Sequence, residues 1–140
     1  MHTIVVDTSI WIRALLSGSA TLPVLEKWRA GRFRVVVSES LLDELDRVWR
    51  RPRFENRIDP EHARLLLAQL RWRGIWVTPT TVPPRCRDPK DHPVLAAAID
   101  GHAKAIVTGD ADLRADDGLR AEMAKYGIEI WGINTLLARV

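Results

Sequence analysis

Short β-branched runs that are apolar at nearly every position recur along this chain, separated by longer segments of helical period. The runs are Ile4-Val5-Val6, Arg34-Val35-Val36-Val37, Ile75-Trp76-Val77, Ala105-Ile106-Val107-Thr108 and Ile128-Glu129-Ile130-Trp131. A strand without apolar–polar alternation has to be covered on both faces, and a parallel sheet flanked by helices does this. Segments at roughly 9–17, 21–30, 39–51, 60–73, 91–102, 118–126 and 133–138 space their apolar residues three and four apart and predict helices. The fold class that follows is α/β, a three-layer α/β/α sandwich on a parallel sheet of about five strands.

A chain of 140 residues holds one core, so residues 1–140 are expected to form a single domain. With 46% hydrophobic and 28% charged residues the composition excludes a disordered chain. No run approaches the ~18 consecutive apolar residues of a membrane helix. The N-terminus reads directly as a strand, without a basic n-region or a small-residue cleavage site. No membrane association or secretion is expected, and cytoplasm is the expected compartment. The lone Cys86 excludes an internal disulfide and a cysteine-rich zinc site. The segment Thr78 to Pro89 holds Pro79, Pro83, Pro84 and Pro89 and is expected to be a loop within the domain.

Charge is unevenly spread. Residues 1–90 carry 16 Lys+Arg against 10 Asp+Glu, a balance of +6, whereas residues 91–140 carry 5 against 8, a balance of −3. Arginine supplies 17 of the 21 basic residues, and its planar fork suits phosphate. An Arg-rich codon bias accounts for the same excess, but a basic surface beside an acidic centre suits a polyanionic substrate.

In an open parallel sheet, ligands bind beyond the carboxyl ends of the strands. Asp7 follows Ile4-Val5-Val6 directly, and Asp110 follows Ile106-Val107-Thr108-Gly109 with Asp112 two residues on. Each reading has a structural alternative. Asp7 at a helix start is also an N-cap, though Asp7-Thr8-Ser9 offers three capping residues where one suffices. Gly109-Asp110-Ala111-Asp112 is also good turn chemistry. In the helix at 39–51, Leu41, Leu42, Leu45, Val48 and Trp49 form the buried stripe, with Glu44 and Asp46 on its opposite edges. Periodicity does not choose between those two acids, and either also serves as half of an ion pair with Arg47, Arg50 or Arg51. Asp91 stands where the apolar helix after Pro93 begins, and is again a site acid or an N-cap; Asp88 lies further out. Carboxylates gathered in one cleft repel one another unless a divalent cation intervenes. An all-oxygen donor set favours Mg²⁺ or Mn²⁺ over zinc, and such a centre activates water against a phosphodiester. The four histidines show no zinc-ligand spacing.

Four segments together resemble the motifs of the PIN-domain nucleases, in particular the toxins of VapC-like bacterial toxin–antitoxin pairs. They are Val5-Val6-Asp7-Thr8-Ser9-Ile10-Trp11-Ile12, Ser40-Leu41-Leu42-Asp43-Glu44-Leu45, Asp91-His92-Pro93-Val94-Leu95-Ala96-Ala97-Ala98 and Thr108-Gly109-Asp110-Ala111-Asp112-Leu113. The resemblance runs along essentially the whole chain and implies strand order 3-2-1-4-5. It also selects Glu44 over Asp46. By it Asp7, Glu44, Asp91 and Asp110 are the catalytic acids, and Asp7, Asp91, Asp110 and Asp112 hold Mg²⁺ or Mn²⁺, with Thr8 and Ser9 in support. It implies hydrolysis of RNA, a homodimer and a cognate antitoxin that blocks the site. The second acid in Asp88-Pro89-Lys90-Asp91 departs from the pattern by competing for the third role.

Two other classes compete. A haloacid-dehalogenase-type phosphohydrolase also begins strand-Asp, but it needs a second Asp where this chain has Ser9. A non-catalytic RNA- or protein-binding PIN relative would have lost an acid, and none of the four is missing. The basic segment Arg47 to Arg57 starts one turn after Glu44 and is expected to guide RNA through Arg50, Arg51 and Arg53, with an exposed Phe54 stacking on a base. A solvated helix end or an antitoxin surface are the alternatives there. Trp11, Trp49 and Trp131 are expected in the core, and so are Trp72 and Trp76, for which a partner surface is the alternative.

Overall fold

The computed structural model describes residues 1–16, 21–83 and 91–140. Within them the five apolar runs form strands β1 (Thr3–Val6), β2 (Arg34–Val37), β3 (Ile75–Trp76), β4 (Ala105–Val107) and β5 (Glu129–Trp131). They pair in the order β3-β2-β1-β4-β5, and every pair is parallel. β1 is central: Ile4 lies opposite Val35 on one side and Ala105 on the other.

The absence of alternation has a direct structural cause. Successive side chains of a strand point to opposite faces. Ile4 and Val6, with Val35, Val37, Ala105 and Val107, face one apolar layer. Val5, Val36, Ile106 and Ile130 face the other. The first layer is completed by α1 (Thr8–Leu15), α2 (Leu22–Arg29), α3 (Glu39–Trp49), α4 (Pro60–Arg73) and α8 (Ile133–Arg139). The second is completed by α5 (His92–Asp100), α6 (Ala111–Ala115) and α7 (Asp117–Ala124). Among the described residues no helix is long and apolar enough to cross a membrane.

Local chemistry fixes the helix ends. Ser38 accepts from the Leu41 N–H at 3.3 Å to start α3, and Asp59 accepts from the Glu61 N–H at 2.9 Å to start α4. α6 is an addition to the segments that periodicity marked, since five residues are too few to show a period. Asp110 caps it, and Asp116 restarts the chain as α7 by accepting from the Leu119 N–H at 3.0 Å.

Two tryptophans expected in the core lie outside it. The buried stripe of α4 is Ala63, Leu66 and Leu70, and Trp72 follows Leu70 by about 200° of helical rotation. It is 86% exposed. Trp76 sits on the two-residue edge strand β3, where only one neighbour covers it, and is 42% exposed. Its indole N–H donates to the Arg71 carbonyl at 2.8 Å. Trp11, Trp49 and Trp131 are buried. Cys86, Pro84 and Pro89 lie outside the described residues.

The turn from α4 into β3 leaves no room for a side chain at Gly74. Its backbone (φ −66, ψ 152) suits any residue, so contact alone decides. A Cβ there would stand 2.5 Å from the Leu70 carbonyl oxygen and 2.6 Å from Val37 Cγ2. Gly74→Ala is expected to lower stability by about 1–3 kcal/mol, seen as a reduced urea midpoint with an unchanged slope. An unchanged midpoint would show that Val37 and the α4 terminus yield freely.

Candidate active site

Because all strands are parallel, their carboxyl ends share one edge, and the first acid is placed there by β1 itself. The Asp7 N–H donates to the Val107 carbonyl at 2.9 Å, binding the end of β1 to the end of β4. Asp7 occupies the N-cap position of α1, yet its carboxylate makes no cap hydrogen bond. Its Oδ2 instead accepts from the Thr108 hydroxyl at 2.9 Å and from the Ser9 hydroxyl at 3.3 Å. Thr108 is fully buried and its own N–H donates to the Trp131 carbonyl at 3.0 Å. Its Oγ1 also accepts from the Asp110 N–H at 3.0 Å. A chain of donors thus runs from Asp110 through Thr108 to Asp7. Thr108 went unassigned in the sequence; its signal was a lone hydroxyl ending an otherwise apolar strand immediately before Gly-Asp.

Burial pushes the Asp7 carboxyl above its ordinary value, the hydroxyls of Thr108 and Ser9 oppose that rise, and the charge of Asp110 adds to it. Asp7 forms no ion pair among the described residues. A desolvated carboxylate with a second negative charge beside it and no cationic partner is an electrostatic deficit that a small divalent cation corrects. The donors at hand are all oxygens, so the residues fit Mg²⁺ or Mn²⁺.

Glu44 and Asp46 diverge. The Thr8 hydroxyl, itself buried, donates to Glu44 Oε2 at 2.8 Å, which turns this acid toward the start of α1. Asp46 accepts from the Trp49 indole at 3.0 Å and from Arg50 Nε at 3.1 Å on the other flank of α3. Asp110 does cap: Oδ1 takes the N–H groups of Asp112 (2.9 Å) and Leu113 (3.3 Å). Asp112 is exposed in the first turn of α6. Asp91 holds the N-cap position of α5 without a side-chain cap bond. Since α5 leads back to the start of β4, Asp91 stands at the same carboxyl edge as the other acids. Asp88 lies outside the described residues. The geometry therefore joins Asp7, Ser9, Thr108 and Asp110 in one network and Thr8 with Glu44 in a second beside it. Among the described residues no three His, Cys, Asp or Glu side chains converge as a ready-made metal cage.

Arg50, Arg51 and Arg57 line a groove of about 860 Å³ together with Leu15 and Trp49, and Arg53 is not among its lining residues. Arg50 lies six residues beyond Glu44, about 9 Å along the helix direction. Its guanidinium sits 4.7 Å over the Trp49 ring, and that of Arg53 sits 4.7 Å over Phe54. Phe54 is only 7% exposed, contrary to the expectation of a stacking platform. The 3-10 turn Pro52–Phe54 folds its ring into the core layer with Ile58, leaving only a small part of it at the groove wall.

Residues 3–112 match a family model described as PIN domain. The search of curated proteins returns no match. Among solved structures, the PIN domain of human SMG5 is similar at 17% identity and a TM-score of 0.47, over 98% of this chain and 97% of that one.

The raised Asp7 carboxyl gives stability a definite pH dependence. With its folded value above the ordinary 3.8, the folded state binds the proton more tightly than the unfolded one. Stability from this group is complete below pH 3.8 and is lost as pH rises through the raised value. In EDTA, Asp7→Asn is accordingly expected to melt higher than wild type at neutral pH, with the difference closing as pH falls below 3.8. A variant that melts lower at pH 7 would show that the carboxylate serves as a structural clamp.

Proposed function

The chain belongs to the PIN-domain family, generally a nuclease fold, and from that premise we propose that it is a metal-dependent ribonuclease hydrolysing RNA phosphodiester bonds. The observation that carries this reading is the Asp7–Thr108–Asp110 network, with its half-buried carboxylate that has no ion pair among the described residues, at the carboxyl edge of the sheet. Asp7 and Asp110 are the proposed primary ligands of Mg²⁺ or Mn²⁺, with Asp91 and Asp112 completing the set. When bound, such a cation supplies an activated water and neutralises phosphate charge. Thr108 and Ser9 orient Asp7 through their hydroxyls. Glu44 is fixed through Oε2 by Thr8 and presents Oε1 for the proton of the attacking water.

One observation favours a second reading, a non-catalytic RNA- or protein-binding member: no three acids converge among the described residues. Cleavage separates the two. Incubation with RNA and Mg²⁺ or Mn²⁺ is expected to yield 5′-phosphate ends, with activity lost in EDTA and reduced on the order of 100-fold or more in Asp7→Asn. Cleavage that survives EDTA, or ends in a 2′,3′-cyclic phosphate, would overturn the mechanism. Binding without cleavage in any divalent metal would establish the second reading.

The biological setting proposed is that of a cytoplasmic, homodimeric toxin held inactive by a cognate antitoxin. Its support is the four-motif resemblance to VapC-like toxins. A small DNA-binding protein encoded beside this chain, co-purifying with it and suppressing cleavage, is the result that this setting requires.

Arg50 and Arg51, which line the groove, and Arg53 next to them in sequence are proposed to conduct RNA toward Glu44. Replacing all three by Ala should lower the salt slope of single-strand binding in Ca²⁺ by about 2, at roughly 0.7 per lost phosphate contact. An unchanged slope and affinity would remove these residues from the substrate path.

A further inference from the structure

A second basic site adjoins the carboxylates. A cleft of about 250 Å³ opens over the ends of β4 and β5, lined by Arg13, Thr108, Gly109, Arg114, Gly132 and Thr135. One of its walls is Thr108, the residue whose hydroxyl binds Asp7, so cleft and acids are immediate neighbours.

Both arginines are unusual in what they lack. Arg13, exposed in the last turn of α1, forms no hydrogen bond or ion pair among the described residues. Arg114 is partly buried, and its Nε is fully buried without an acceptor. Asp110, the nearest acid in sequence to Gly109, has committed Oδ1 to the α6 cap. Among the described residues, two guanidinium groups therefore face one cleft with no carboxylate paired to either, where a shared oxyanion would satisfy both.

The backbone makes room for them. A Cβ on Gly109 would stand 2.6 Å from Arg13 Nη1, 2.9 Å from Cζ and 3.0 Å from Nη2, so the fork lies flat across the glycine. A Cβ on Gly132 would run into Arg114 Nη1. Each arginine rests on a glycine at the end of a strand, which holds its fork toward the cleft.

We propose that this cleft seats one backbone phosphate of the RNA, next to the phosphodiester that is cut. The inference rests on the ribonuclease reading and adds to it a fixed position for the neighbouring linkage. The RNA backbone is then held beside the carboxylates at the β4–β5 end of the sheet.

The test uses the full chain with a short single-stranded RNA in Ca²⁺, in which linkages are replaced one at a time by neutral methylphosphonate. Wild type should lose about tenfold or more in affinity at one linkage beside the cut. Arg13→Gln with Arg114→Gln should be insensitive at that linkage, with a salt slope lower by roughly 0.7 for the one lost phosphate. Gly132→Ala provides a control that keeps every charge: its methyl displaces only the flexible end of Arg114, and it should blunt the same linkage while leaving folding intact. Equal sensitivity at all linkages in wild type and variants, with RNA still bound and cut, would overturn the phosphate seat and leave the ribonuclease standing. If wild type binds no RNA at all, both readings fall.

Discussion

The structure depends on one strand being buried on both sides and paired on both edges. Ile4, Val5 and Val6 in β1 have almost no exposed surface, and their backbone is committed to β2 and β4. A segment so enclosed has no register freedom, because a slip by one residue would exchange its two faces. The residue that emerges from it, Asp7, is therefore placed as firmly as the core itself. The Asp7 N–H bond to Val107 carries that order one step past the end of the strand. Thr108 and Asp110 inherit their positions from the same pairing.

That firmness explains how the fold tolerates a carboxylate pushed above its ordinary value. The central sheet and its two apolar layers hold Asp7 in a partly desolvated place that it would otherwise leave. The three residues that open α1 distribute the work: Asp7 turns to β4, Thr8 to α3, and Ser9 back to Asp7. A shift of α3 would be felt at Thr8 and, one residue away, at Asp7. The interior thus supplies the constraint, and the edge spends part of its stability on charge.

Much of the architecture was legible before any coordinate. The five strands follow from the lack of alternation, since burial on both faces leaves that mark; their spatial order came from the family resemblance. Where sequence reasoning stopped, the cause was geometric. Glu44 and Asp46 flank the same buried stripe and periodicity leaves them equal; the family resemblance selects Glu44, and in the structure the Thr8 hydroxyl donates to it. Phe54 sits in a charged segment that reads as surface, yet a single 3-10 turn carries its ring inward. Trp72 is one of the largest apolar side chains but falls on the wrong side of the α4 stripe. Arg13 reaches Gly109 through the β1–β4 pairing and Arg114 reaches Gly132 through the β4–β5 pairing, and short spacing rules do not see contacts between residues that lie far apart in the chain.

The anchoring of the acids has a consequence for the heat and entropy of ion capture. Asp110 and Glu44 each have one oxygen held, by backbone amides or by a hydroxyl, so their rotamers are already selected in the unliganded chain. Freezing a free acidic side chain at a binding site costs about 0.5–1.5 kcal/mol in lost conformational freedom. Here that ordering accompanies folding, and in the proposed metal site a cation would meet oxygens that have little motion left to lose.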